Sequence, residues 1–199
     1  FKFSLIATVL ITVAGGLISY IIVRRETRLS GLLDTVLMVP YVVPGVVMAI
    51  GFLLTFNQGA LDLVGTGAII VLILFIRRLP YGVRATSSVL RQIKPSIEEA
   101  AISLGASPAR AFFKVTVPLM MPGVIAGAMM SFITAINELS STLLLYTART
   151  ATMPVRIYSA VLDGEFGIAA ALSTILLVSS GLCVFVVLRF SRSKEGTFV

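Results

Sequence analysis

The chain has 199 residues, of which 57% are hydrophobic and only 13% charged, and its formal net charge is +7. Soluble domains carry roughly a quarter of their residues as charges, so this chain has about half the supply needed to cover a water-facing surface, and an all-α polytopic membrane bundle is predicted. Nucleic acid is not indicated, because the Lys and Arg residues lie between apolar runs rather than on one amphipathic face; with no histidine and one cysteine, Cys183, no structural zinc site or intrachain disulfide can be built, so no metal site is expected.

Phe3 to Val23 is an apolar stretch of spanning length, closed by Arg24-Arg25-Glu26-Thr27-Arg28. Its charges follow the apolar core, the reverse of a signal peptide. The start at Phe1 without an initiating Met reads as a fragment or one half of a longer chain. A second run, Leu32 to Phe56, contains Pro40-Tyr41-Val42-Val43-Pro44-Gly45. Prolines at that depth are tolerated where neighbours or a cavity satisfy the freed carbonyls. A kinked span is therefore predicted, with Pro40, Tyr41 and Pro44 bordering a path; packing around Gly45 and Gly51 is the alternative. Asn57 to Gly65 supplies a turn.

The third run begins near Thr66 and is apolar only to Ile76, about 16 Å of helix and half the hydrocarbon thickness. It must continue to about Leu90 through Arg77, Arg78 and a kink at Pro80. Cations at that depth either face a bundle interior or water cavity, or snorkel from a tilted helix.

Lys94 to Pro118 is the one wide polar island. Ser96 and Glu99 have capping-box spacing, which predicts a helix starting there with Pro95 outside it and Ala100, Ala101 and Leu104 continuing it. Gly105 can take the left-handed conformation that ends a helix, and Ser107-Pro108 reads as the cap and first residue of a second short helix. The product is a helix-turn-helix knob. Pro118 to about Asn137 is a fourth span, rich in Met, Ala and Gly and so suited to close packing. Asn137 and Glu138 then join Arg77, Arg78 and Pro80 as candidates for the path. A polar segment runs to Gly167, and the last span is Ile168 to Leu188, ended by Arg189, Arg192 and Lys194.

If the segment after the first span is cytoplasmic, that side collects Arg24, Arg25, Arg28, Arg91, Lys94, Arg110, Lys114, Arg189, Arg192 and Lys194, leaving Lys2, Arg149 and Arg156 outside. The positive-inside rule then places the amino end in the periplasm, the carboxyl end in the cytoplasm, and the island with it. No P-loop is present: Gly65-Thr66-Gly67 is too short and leads into a span. No Ser/His/Asp set can exist without histidine, so a non-catalytic subunit is expected.

Glu99-Ala100-Ala101, three residues, Gly105, nine residues, then Val115-Thr116-Val117-Pro118 resembles the EAA loop of binding-protein-dependent ABC importer permeases of the MetI-like superfamily. Valines stand at 115 and 117 where isoleucine and leucine are usual. The resemblance implies one permease domain over residues 1–199, with residues 94–118 as the cytoplasmic coupling loop. It implies an inner-membrane protein paired with a second permease unit, as a homodimer or a fused half, together with two ABC ATPase subunits that carry the ATP and a periplasmic solute-binding protein. Contact with the ATPase is implied for Glu98, Glu99, Ala100, Ala101, Leu104, Gly105, Ala106, Ser107 and Pro118. Ile136 to Leu145, Thr150 to Ser159 and Asp163 to Gly167 look most like the ferric iron permeases, with polyamine, thiamine, sulfate or molybdate and phosphonate permeases as near relatives. A gradient-driven secondary transporter is the reading from another class. Broken helices and Glu138 suit it, whereas the knob does not.

Overall fold

The computed structural model describes residues 1–25, 27–57 and 62–195, which are mostly helical with no strand among them. Glu26 and residues 58–61 of the predicted turn lie outside the described residues. In chain order the helices are α1 (Lys2–Arg24), α2 (Arg28–Val42), α3 (Gly45–Phe56), α4 (Gly67–Gln92), α5 (Pro95–Ser103), α6 (Pro108–Ala111), a π-helical turn (Phe112–Thr116), α7 (Val117–Ile136), α8 (Thr142–Leu145), α9 (Met153–Leu162) and α10 (Phe166–Glu195).

Three of these form the centre. Helices α1, α4 and α7 pack on one another, with α2 and α3 against α4, and α10 against α7 and α9. Between helices in lipid there is no aqueous driving force, so contact depends on small residues that let backbones approach. The predicted inward role of the fourth span is realised this way: a Cβ on Gly127 would lie 2.9 Å from Gly82 Cα, across the α4–α7 contact. Hydroxyls then bridge the helices, Ser19 Oγ donating to the Val83 carbonyl at 3.0 Å and Ser131 Oγ to the Arg78 carbonyl at 3.3 Å. Ile11, Ile69, Ile70, Ile73, Leu74 and Val83 fill the remaining interior.

The second span is not merely kinked. Helices α2 and α3 meet at 104°, so the run is broken into two segments. Val43, which precedes Pro44, is extended (φ −68°, ψ 128°), because the pyrrolidine ring excludes the helical region for the residue before it. Pro40 remains inside α2, so one proline is absorbed and the second breaks the helix. Pro80 is likewise retained within a continuous α4.

α1, the run Pro108–Ile136 and Phe166–Val186 are each long and apolar enough to cross a membrane, and the bent α2/α3 pair can make a fourth span. The 26 residues of α4 reach about 39 Å. Arg77, Arg78 and Arg84 give it more charge than a lipid-facing span carries, yet it lies at the centre of a polytopic membrane helix bundle. The segment after α7, expected only to be polar, folds into α8 and α9.

Candidate functional site

The knob forms, with a different start from the one expected. α5 begins at Pro95, Lys94 is its N-cap with extended backbone, and no side chain caps it, so the Ser96–Glu99 capping box is absent. Proline has no N–H to satisfy, has φ preset for a first helical position, and forces the residue before it out of the helical region. The boundary therefore moves upstream of Ser96, which is left inside the helix.

The far end follows expectation. Gly105 has φ +93°, a region that residues with a Cβ rarely adopt. The Ala106 N–H donates to the Ala101 carbonyl at 3.1 Å and the Leu104 N–H to the Ala100 carbonyl at 3.0 Å, satisfying carbonyls at the helix end. Ser107 accepts from the Arg110 N–H at 3.3 Å and Pro108 occupies the first turn of α6. The second helix is not a separate short element, however: α6, the π turn and α7 continue one another. The wider turn lies just before Pro118, whose missing N–H leaves that stretch short of a donor. The knob is thus the hooked end of a long helix.

Neighbouring residues on an α-helix point about 100° apart, so Glu98 and Glu99 cannot share a face. Glu99 is exposed. Glu98 turns inward, its side chain only 13% exposed: Tyr20 Oη donates to Glu98 Oε1 at 2.5 Å and Thr116 Oγ1 to Oε2 at 2.9 Å, while Arg24 Nε lies 3.7 Å from Oε2. Arg24 Nη1 also donates to the Ile93 carbonyl at 3.0 Å, and the Tyr20 ring meets Phe112 edge-on at 4.6 Å. One carboxylate therefore joins α5, the end of α1 and the π turn. Away from it the knob presents Ile97, Ile102, Leu104 and Phe113 outward, with Leu104 89% exposed. Ala100, Gly105, Ser107 and Pro118 are also exposed, and Ala101 and Ala106 half-buried.

A second glutamate gathers the cations of α4. Glu138 is 5% exposed. Arg77 Nη1 donates to its Oε1 at 2.9 Å and Arg78 Nη2 to its Oε2, so both guanidiniums fold onto one carboxylate. Ser141 adds its N–H at 3.1 Å and its Oγ at 3.0 Å to Oε1. Gly45, the first residue of α3, lies against Arg77 Nη1 and Ser140, where a Cβ would collide with both. The cluster joins α4, the end of α7, and the start of the broken α3 segment. It carries two positive charges and one negative, and Arg77 Nε and Arg78 Nε have no hydrogen-bond partner.

The other expected path residues are not drawn into this cluster. Asn137 caps α7 and donates through Nδ2 to Ser180 Oγ of α10 at 3.1 Å. Tyr41 is exposed and meets Tyr81 edge-on at 5.7 Å, Pro40 is half-buried, Pro44 is the exposed N-cap of α3, and Pro80 is buried in α4. Sequence reasoning missed Tyr20, Arg24 and Thr116 as partners of Glu98, and Ser141 and Gly45 beside Glu138. The 100° rule would have separated Glu98 from Glu99, but nothing local names partners that lie 78 residues apart in the chain, as Tyr20 and Glu98 do.

A family model described as binding-protein-dependent transport system inner membrane component matches residues 11–194. The ferric transport system permease protein FbpB of Actinobacillus pleuropneumoniae is 35% identical over 173 residues, which are 87% of this chain and 25% of that one. The molybdate/tungstate transport system permease protein WtpB of Pyrococcus abyssi is 30% identical over 191 residues, 94% of this chain and 74% of its own length. The chain thus spans a quarter of the first relative and about three-quarters of the second. Among solved structures, a bacterial alginate ABC transporter in complex with an alginate pentasaccharide-bound periplasmic protein superimposes with a TM-score of 0.71, covering 100% of this chain and 79% of that one. At 16% identity this likeness concerns the fold alone.

Proposed function

The chain belongs to the family of binding-protein-dependent transport system inner membrane components, and from that membership we propose that it is the membrane-spanning permease unit of an ATP-driven importer. The knob is the observation that carries this reading. A gradient-driven carrier has no use for a hooked helix end that holds an exposed apolar face beyond the bundle. In this reading Glu99 and the face of Ile97, Ile102, Leu104 and Phe113 seat on a cytoplasmic ATPase, which binds and hydrolyses the ATP. The ATPase is present in two copies beneath a pair of permease units. The continuous helix from Pro108 to Ile136 carries a push at the knob into the bundle. A periplasmic binding protein delivers the solute at the opposite face, near the segment between Glu138 and Gly167.

Ferric iron is the proposed cargo, supported by the similarity to FbpB. The similarity to WtpB supports molybdate or tungstate as a second reading. Affinity isolation from membranes tests the partnership: a P-loop ATPase is expected to copurify, and a crosslinker at Ala101 to trap it, whereas one at Arg149 traps a soluble periplasmic protein. Recovery of the ATPase from Arg149 overturns the orientation, and uptake that persists without any ATPase favours the gradient-driven carrier. Uptake of labelled ferric iron against labelled molybdate, in cells with and without the chain, decides between cargoes.

A further inference from the structure

Two adjacent glutamates on α5 have opposite environments, and only one is available to a partner. We propose that Glu98 is a positioning residue: its carboxylate clamps the knob to the end of α1 and to the head of α7, so that a push on the knob moves these elements as one body. The proposal rests on the reading of the knob as the ATPase contact.

The geometry carries it. Each Glu98 oxygen has its own hydroxyl donor, Tyr20 on Oε1 and Thr116 on Oε2, and these donors come from different helices. Arg24 supplies the opposite charge at 3.7 Å and at the same time holds the α4–α5 junction through the Ile93 carbonyl. Without these bonds α5 would be attached only through its chain ends and sparse packing, since none of its residues is buried. A nine-residue helix with no buried side chain has little to fix its direction. Charge-assisted hydrogen bonds are directional and stronger than neutral ones, so the carboxylate fixes what packing does not. The π turn contributes to the same end. It directs Phe112 onto the Tyr20 ring and Thr116 onto Glu98, so the head of α7 and the last turns of α1 close on the glutamate together.

The role differs from that of Glu99, and the test uses the difference. Spin labels at Arg25 and Ala101, in a Cys183→Ser background, report the distance between the end of α1 and the knob in the permease itself, whether or not an ATPase is bound. The native protein is expected to give one narrow distance distribution, and Glu98→Gln and Glu98→Ala progressively broader ones, with Tyr20→Phe resembling Glu98→Gln. In the intact transporter, with its ATPase and binding protein in proteoliposomes, Glu98→Gln should lower solute moved per ATP hydrolysed about tenfold, the scale of one hydrogen bond to a charged group. The ATPase should remain bound. The Tyr20→Phe and Glu98→Gln double variant should lose little more than Glu98→Gln alone, because both remove one interaction. Glu99→Ala should instead release the ATPase and leave the distance narrow. A narrow distribution in Glu98→Ala, or full transport in that variant, overturns the clamp. Loss of the ATPase in Glu98→Gln with the distance unchanged also overturns it, making Glu98 a partner contact. If no ATPase accompanies the native chain, the coupling reading fails, and the label distances still decide the clamp.

Discussion

Glu98 and Glu138 are both inward-facing carboxylates met by arginine and hydroxyl groups, yet they sit in unlike parts of the molecule. Glu98 has one arginine, Arg24, and two hydroxyls, at the edge of the bundle beside an exposed knob. Glu138 has two arginines and one serine, at the junction of α4, α7 and the broken α3. The first cluster is balanced in charge and ties a projecting element down. The second has excess positive charge and holds together helix ends that a proline break leaves loose. An inward-facing carboxylate thus acts as a fastener in one place and as the counter-charge without which two guanidiniums could not be buried in the other.

The comparison predicts unequal damage. Removing one partner from a buried ion pair typically costs about 3–5 kcal/mol, because the remaining charge stays desolvated. Glu138→Ala leaves two such charges and is expected at or beyond the upper end of that range, read as loss of folded protein or a large drop in thermal unfolding temperature in detergent. Replacing Arg78 by Met in the same chain should recover part of the loss by removing one stranded cation. If Glu138→Ala retains native stability, the cluster is wet, and cysteines at Arg77 and Arg78 should then react with a water-soluble thiol reagent.

Next in size is the seam that brings the second cluster's helix against α7. At Gly127 an added Cβ would lie 2.9 Å from Gly82 Cα, 3.1 Å from the Gly82 carbonyl oxygen and 3.2 Å from Ala85 Cβ, none of which can rotate away. Gly127→Val should therefore separate α4 from α7 at a cost of about 1–3 kcal/mol. Thermal unfolding in detergent measures it. Gly51, inside α3 with nothing within 4 Å of an added Cβ, is the control: Gly51→Ala should cost no stability and, by removing a glycine from a helix interior, gain up to about 1 kcal/mol.

How much of this was legible in the sequence follows from the range of each cause. The turn at Gly105 and the cap at Ser107 are local, set by one or two residues, and both were readable. The start of α5 was misread because two local signals competed, and proline's covalent restriction on Lys94 outweighed a side-chain hydrogen bond contributing about 1 kcal/mol. The spanning runs in α1, α7 and α10 were readable from apolar length, but α4 was not, because its apolar stretch stops at Ile76, and neither was the 104° break between α2 and α3, since sequence marks a weak point and tertiary packing sets the angle. The membership of each glutamate cluster was least legible. Arg77, Arg78 and Glu138 were singled out as charges at membrane depth, but their pairing with one another was not read; Tyr20 and Thr116 looked like ordinary residues of α1 and the π turn until the fold brought them to Glu98.

At the knob itself, Gly105→Ala imposes a left-handed conformation on a residue with a Cβ, at a cost of about 1–2 kcal/mol. That is too little to unfold the bundle and enough to change how α5 meets α6. The expected outcome is normal membrane insertion with transport reduced more than stability, checked by uptake alongside thermal unfolding. Equal stability and equal uptake would mean that the turn tolerates another geometry.

The smallest effect separates a buried ion pair from an exposed one. Arg84 reaches Asp34 of α2 at 3.3 Å, but the arginine side chain is 54% exposed and also contacts Met38. A pair in contact with water contributes roughly 0–1 kcal/mol, so Asp34→Asn should shift thermal unfolding only slightly, and added salt should reduce even that difference. The same substitution also tests depth. Were this flank of α2 and α4 seated in hydrocarbon rather than at the aqueous boundary, the unpaired arginine would have no water to turn to, and Asp34→Asn would approach the severity expected of Glu138→Ala. A mild, salt-sensitive loss therefore places the pair at the interface, about two turns along α4 from the buried arginines, and marks where along that helix charge stops being stabilised by water and comes to depend on Glu138.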